Sequence, residues 1–156
     1  MKSALYSSPR SATHPVMLAP HASRLEKACF DKGLKLTGQR RVIARVLSEA
    51  TDHPDVNQVF ERAVRLDSKI SIATVYRTVR LFEEAGILQK HEFGQGKARY
   101  EEADNGHHDH LIDIDTGTVV EFFDAELETL KTQIAARLGF DLVDHRLELY
   151  ARKKKA

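Results

Sequence analysis

Four helix-starting residues, Ser23, Thr37, Asp55 and Ser71, divide the first half of this 156-residue chain into short segments, and that punctuation limits what it can fold into. Each carries an oxygen that can accept from the free N–H groups of a first helical turn. Ser23 opens a helix that Gly33 stops. Thr37 opens a second, in which Val42, Ile43, Val46 and Leu47 follow the helical period. Asp52-His53-Pro54-Asp55 breaks the chain, and Asp55 restarts it with Val56, Val59, Phe60 and Ala63 on one face. Ser71 opens a fourth helix ending at Gly86. Short helices with short connections predict a helix-turn-helix. Ile87 to Phe93, a Gly94-Gln95-Gly96 turn and Ala98 to Glu101 then alternate as a β-hairpin, which makes the unit winged.

The fourth helix carries two stripes at the same spacing. Ile72, Val75, Val79 and Phe82 form an apolar one; Ala73, Tyr76, Arg77 and Arg80 form a second that points away from it. Guanidiniums fork to guanine or phosphate, and a Tyr ring packs on thymine methyls, so the second stripe suits a major groove. Most charged helical stripes are simply solvated faces. The hairpin beside this one favours DNA, with Lys97 and Arg99 expected near phosphates on the wing.

After Asn105-Gly106 the period changes to that of strands. His107 to Asp115, a Thr116-Gly117 turn and Thr118 to Phe123 predict a second hairpin. A helix follows with Leu127, Leu130, Ile134 and Leu138 on one face, then Gly139, and Asp141 to Tyr150 predicts a final strand. Charge changes at the same place. Residues 1–100 hold 17 Lys+Arg against 10 Asp+Glu, or +7, and residues 101–156 hold 7 against 13, or −6. A basic helical half joined to an acidic one points to nucleic-acid binding coupled to metal sensing.

The metal chemistry centres on His107-His108-Asp109-His110. Strand alternation sends His107 and Asp109 one way and His108 and His110 the other, so one stretch can serve two sites. Neither pair suffices, because a first-row metal needs four or more donors. For the first face, Glu101 at the wing end and His53 in the loop between two helices are available. For the second, His145 on the expected last strand and Glu128 on the preceding helix can close the set; a lone histidine there would otherwise be a core residue. Imidazole and carboxylate without thiolate suit Fe(II), Mn(II), Co(II) or Zn(II).

Other functions are excluded or weakened. Cys29 is the only cysteine, so no internal disulfide and no thiolate-rich zinc site can form, and its helical setting predicts a buried structural thiol. No apolar run approaches the roughly 18 residues of a membrane span. Residues 1–22 lack the apolar core of a secretory signal, so a disordered extension and a cytoplasmic protein are expected. A metal-dependent hydrolase is the alternative reading of the His/Asp cluster. Its HxHxDH motif, ending at His110, would need histidine where Asn105 stands, and HExxH, GxSxG and GxxxxGK[ST] are absent. A DNA-binding module without metal control is the other alternative.

Gly33-Leu34-Lys35-Leu36-Thr37, Ser71-Ile72-Ala73-Thr74-Val75-Tyr76-Arg77, His107-His108-Asp109-His110-Leu111-Ile112 and His145-Arg146-Leu147-Glu148-Leu149-Tyr150 together resemble the ferric uptake regulator family, in particular its alphaproteobacterial iron and manganese regulators. The similarity runs from about Ser23 to Tyr150. It implies an α+β protein: a disordered extension over 1–22, a winged helix-turn-helix DNA-binding domain over 23–102, a hinge at 103–106, an α/β dimerisation and metal-binding domain over 107–151, and a basic tail over 152–156. It implies a homodimeric repressor that binds AT-rich inverted repeats near iron or manganese homeostasis genes when Fe(II) or Mn(II) is bound, with Zn(II) or Co(II) able to substitute. The family's inter-domain sensing site maps onto His53, Glu101, His108 and His110, and its second site onto His107, Asp109, Glu128 and His145. Its DNA contacts map onto Lys35, Tyr76 and Arg77, beside which Arg80 continues the stripe. Many members also hold zinc with two CxxC pairs. Here the first pair's place is taken by Asp113-Ile114-Asp115-Thr116, so a four-cysteine structural zinc is not expected.

Overall fold

The computed structural model describes residues 21–94, 96–103 and 106–154; the expected extension lies almost wholly outside them, as does the middle of the expected hinge. Four helices come first: α1 (Arg24–Asp31), α2 (Gly38–Ser48), α3 (Val56–Leu66) and α4 (Ile72–Glu84). Each begins where an oxygen is available. Ser23, Thr37, Asp55 and Ser71 all accept from the backbone N–H three residues on. Ser23 and Asp55 complete reciprocal boxes with Glu26 and Gln58. Gly33 and Gly86 follow α1 and α4 with φ of +70° and +63°, the left-handed conformation that ends a helix.

The wing strands β1 (Leu88–Glu92) and β2 (Ala98–Glu102) pair antiparallel, with Gln89 opposite Glu101 and His91 opposite Arg99. Their apolar side and the four helices share one core, in which Leu25, Cys29, Ile43, Val59, Val75 and Phe82 are fully buried. Burial pushes the Cys29 thiol up to about 11, and the Glu26 carboxylate adds to the effect. Since the thiolate is the nucleophile, Cys29 should resist iodoacetamide in the native protein and react only after unfolding, as mass spectrometry will show.

The acidic half is a three-stranded sheet in the order β4-β3-β5, built from β3 (Asp109–Asp113), β4 (Val119–Phe122) and β5 (Glu148–Ala151). β3 and β4 form the expected hairpin. α5 (Ala125–Arg137) then crosses over so that β5 runs parallel to β3. The β3–β4 turn closes on itself. Asp113 accepts from the Asp115 N–H at 3.0 Å and from the Thr116 hydroxyl at 2.8 Å. In the stretch Asp113-Ile114-Asp115-Thr116, which the resemblance sets against the first CxxC pair, side-chain oxygens tie the turn.

Three expectations need correction. The final strand is only Glu148–Ala151; residues 141–147 join no ladder, so His145 precedes the strand rather than lying on it. The leucine stripe of α5, expected on one face of the helix, is not covered in the protomer, and no residue of that helix is buried. Ile72 is at the exposed edge of its stripe, one turn before α4 meets the core. Arg99 turns inward: its Nη1 donates to the His53 carbonyl at 3.2 Å. Lys97 remains exposed, 3.7 Å from the Asp55 carboxylate.

Beyond the first core, Phe93 at the end of the wing packs with Ile112 and Val119 in a small cluster between the halves. That contact brings the wing's polar face onto β3.

Candidate metal centre and nucleic-acid face

Three separate elements deliver the first donor set. The break between α2 and α3 supplies His53, whose backbone has φ of +49°, the left-handed region that a non-glycine residue rarely occupies. It is held there from both sides of β2, because the Tyr100 N–H donates to the Pro54 carbonyl at 3.2 Å and Arg99 binds the His53 carbonyl. Glu101 is on the same strand. β3 supplies His110, and His108 lies just before it.

The donor atoms converge. Nε2 of His53 and Nε2 of His108 are each 3.0 Å from Oε2 of Glu101, and the two Nε2 atoms of His53 and His110 face each other at 3.2 Å. Metal bonds of about 2.0–2.2 Å place neighbouring donors roughly 2.8–3.6 Å apart in octahedral or tetrahedral geometry. These three spacings fall in that range, and Nε2 of His110 lies 3.9 Å from Oε1 of Glu101, just beyond it. Two neutral imidazoles that face each other can share at most one proton. His108 donates from Nδ1 to the Gly106 carbonyl at 3.1 Å and turns its Nε2 to the Glu101 carboxylate. Such a cluster needs a cation or added protons.

The electrostatics favour the cation. Burial, followed by the neighbouring His53, His91 and His108, holds His110 down at about 4 despite the opposing pull of Glu101, so its ring is neutral and free to ligate at neutral pH. Burial alone would raise the Glu101 carboxyl; hydrogen bonds from His53 and His91 reverse this and leave it far below the ordinary carboxylate range. Imidazoles around an ionised carboxylate fit Fe(II), Mn(II), Co(II) or Zn(II).

Two further residues border this set. Nε2 of His91 donates to the other oxygen of Glu101, while its Nδ1 accepts from Arg146 at 3.1 Å. Oε1 of Glu121 lies 3.3 Å from Nε2 of His53. Neither emerged from the sequence. Their signal was in the strand registers: His91 is diagonal to Glu101 across the wing, and Glu121 lies directly opposite His110.

The second set also assembles. Nε2 of His145 is 3.3 Å from Oδ1 of Asp109, and Nε2 of His107 is 3.4 Å from Oε1 of Glu128. A fifth group shares it: Nζ of Lys131, 2.6 Å from Oε1 of Glu128, 3.6 Å from Oδ2 of Asp109 and in contact with His145.

On the winged unit, Ala73, Tyr76, Arg77 and Arg80 are exposed along α4, as is Lys35 before α2. Nε of Arg77 reaches back to the Ala73 carbonyl at 3.2 Å, and Arg80 pairs with Glu84 at 2.8 Å. Both are solvent-facing interactions that a phosphate or base edge can replace.

A winged helix whose wing shares a buried His/Glu cluster with a second, α/β half defines a metal-responsive regulator. The ferric uptake regulator family model matches residues 31–150. The ferric uptake regulation protein of Rhizobium leguminosarum bv. viciae is 57% identical over 129 residues, spanning 83% of this chain and 91% of the relative. Among solved structures, a zinc-bound manganese uptake regulator is similar at 55% identity and a TM-score of 0.77, covering 83% of this chain and 98% of that one. The Pseudomonas aeruginosa ferric uptake regulator with manganese is similar at 40% identity and a TM-score of 0.69, covering 85% and 99%. The chain belongs to the ferric uptake regulator family. Its members are regulators and not enzymes, and the hydrolase reading finds no support.

Proposed function

We propose that this chain is a cytoplasmic, homodimeric transcriptional repressor of iron or manganese homeostasis genes, which binds AT-rich inverted repeats when Fe(II) or Mn(II) occupies the His53/Glu101/His108/His110 set. Zn(II) and Co(II) are substitutes that the same donors accept. The observation that carries this reading is that the set draws on both halves of the chain: His53 and Glu101 come from the winged unit, and His108 and His110 from the sheet. A divalent cation there supplies positive charge to a buried carboxylate and joins the two halves at one point. The protein side of the mechanism is preorganisation. Glu101 and His53, drawn to β3, hold the winged unit (23–102) in one orientation about the 103–106 hinge on the 107–151 half. A dimer reads two half-sites only at a defined separation, so fixing that orientation raises operator affinity.

Tyr76, Arg77 and Arg80 are the proposed major-groove readers, with Lys35 at the minor groove. The dimer rests on apolar surface that the protomer leaves open. Val143 is 96% exposed, Phe140 72% and Leu138 70%, all within or beside a segment that joins no ladder. Such a patch marks a protein interface. With Cys29 buried and no other thiol in the sequence, the dimer should survive exhaustive chelation and thiol alkylation, and sedimentation of metal-free protein will check this. Val143→Asp should shift it towards monomer.

The reading is tested by a mobility shift with an AT-rich palindrome, with Mn(II) and with chelator. Tight binding only with metal is expected, and equal binding in both lanes would refute it.

A further inference from the structure

We propose that the ammonium of Lys131 is the resident cation of the second donor set, so that His107, Asp109, Glu128 and His145 exclude a divalent ion in this chain. This rests on the reading of the first set as the metal site only for the total number of ions expected.

Asp109 lies at the centre of this set. Its side chain is 1% exposed, and neither oxygen accepts a hydrogen bond from the described residues. A buried carboxylate without hydrogen bonds needs a positive charge close by. Lys131 supplies one at 3.6 Å, together with a hydrogen bond of 2.6 Å to Glu128 and a contact to Nε2 of His145.

Its placement follows from the helix. Glu128 and Lys131 are three residues apart on α5 and therefore on one face, from which the Lys131 side chain reaches Asp109 at the start of β3. A lysine at such a position ordinarily extends its amine into water. Here the side chain is only 17% exposed and folds inward, giving up the freedom of four rotatable bonds. Three donors of the set lie around one nitrogen that has no lone pair to offer as an ammonium and repels a second cation.

Two positive centres cannot share this space. A divalent ion bound by Asp109, Glu128 and His145 would have to displace Nζ, leaving the ammonium to find another partner. With Lys131 in place, α5, β3 and the His145 segment are braced permanently, and metal response is confined to the inter-domain set.

The test is metal stoichiometry on the full-length dimer, by equilibrium dialysis against Mn(II) with elemental analysis. Wild type should hold one ion per protomer, lost in Glu101→Gln. Lys131→Gln should hold two, and adding Asp109→Asn should return it to one. In chelator, Lys131→Gln should melt below wild type, because Asp109 has lost its counter-charge. If Lys131→Gln fails to fold, Lys131→Met offers a similar length without charge, and the wild-type count requires no variant. Wild type holding two ions, one of them removed by His145→Ala, would overturn the proposal, as would Lys131→Gln still holding one. A wild type that holds none, with Lys131→Gln gaining one, would refute the reading of the first set while leaving this one standing.

Discussion

Glu101→Ala is expected to abolish metal-stimulated operator binding while the protein still dimerises. Glu101 is the one carboxylate that His53, His91 and His108 all address, and it reaches β3 from the wing. Its removal takes away both a donor and the physical link between the halves. Outer-shell partners of metal sites typically contribute 10–100-fold in affinity, so losing a direct donor should weaken Mn(II) binding by more than about a hundredfold. The metal-free protein is affected as well. Taking one member from a buried charged cluster costs on the order of 3–5 kcal/mol when a charged partner is left unpaired, but here the partners are imidazoles, which carry no fixed charge. The expected melting shift is therefore smaller than that figure implies. Calorimetric Mn(II) titration and a mobility shift on the same preparation check both parts. A variant that retains metal-stimulated DNA binding would show that Glu101 does not join the halves.

Arg77→Ala and Tyr76→Ala should lower operator affinity by about 1–3 kcal/mol each, roughly 5- to 150-fold, with metal binding, dimerisation and melting temperature unchanged. Both side chains are exposed on α4, with Tyr76 at 56%, while Val75, Val79 and Phe82 on the far side hold the helix in the core. The salt dependence separates their roles. Arg77, if it reads a base edge, should lose discrimination between operator and scrambled DNA, whereas Lys35→Ala should weaken both alike and flatten the salt slope. Unchanged operator affinity for Arg77→Ala would remove α4 as the recognition helix.

Much of this architecture was legible in the residues because it depends on local chemistry. The caps at Ser23, Thr37, Asp55 and Ser71 are short-range bonds, and all four helices start beside them. The division of the His107–His110 run into two sets required only alternation, and it holds although the strand begins at Asp109. What escaped depends on register and on surfaces outside the protomer. His91 and Glu121 approach the first set across hairpins whose turns fix the pairing, and the sequence does not state that register. Residues 141–147 have strand-like composition but form no strand in the protomer, and only the Leu147 carbonyl reaches β3, so composition overestimated β5 by half its expected length or more. Lys131 read as an ordinary solvated helical lysine. Only the structure reveals that its amine enters a ligand set, between Glu128 and Asp109.

The central claim is that the inter-domain set fixes the winged units relative to the dimer core, and the separation of two spin labels measures this directly. A label at Glu61→Cys, exposed on α3, reports the distance between the two winged units of a dimer, and buried Cys29 should stay unlabelled. Zn(II) is the suitable ion because it is not paramagnetic. In otherwise unaltered protein the distance distribution should be broad in chelator and collapse to one narrow peak when Zn(II) is added, and with Glu101→Ala it should remain broad. A distribution equally wide with and without Zn(II), in protein shown to have bound it, would contradict the clamp.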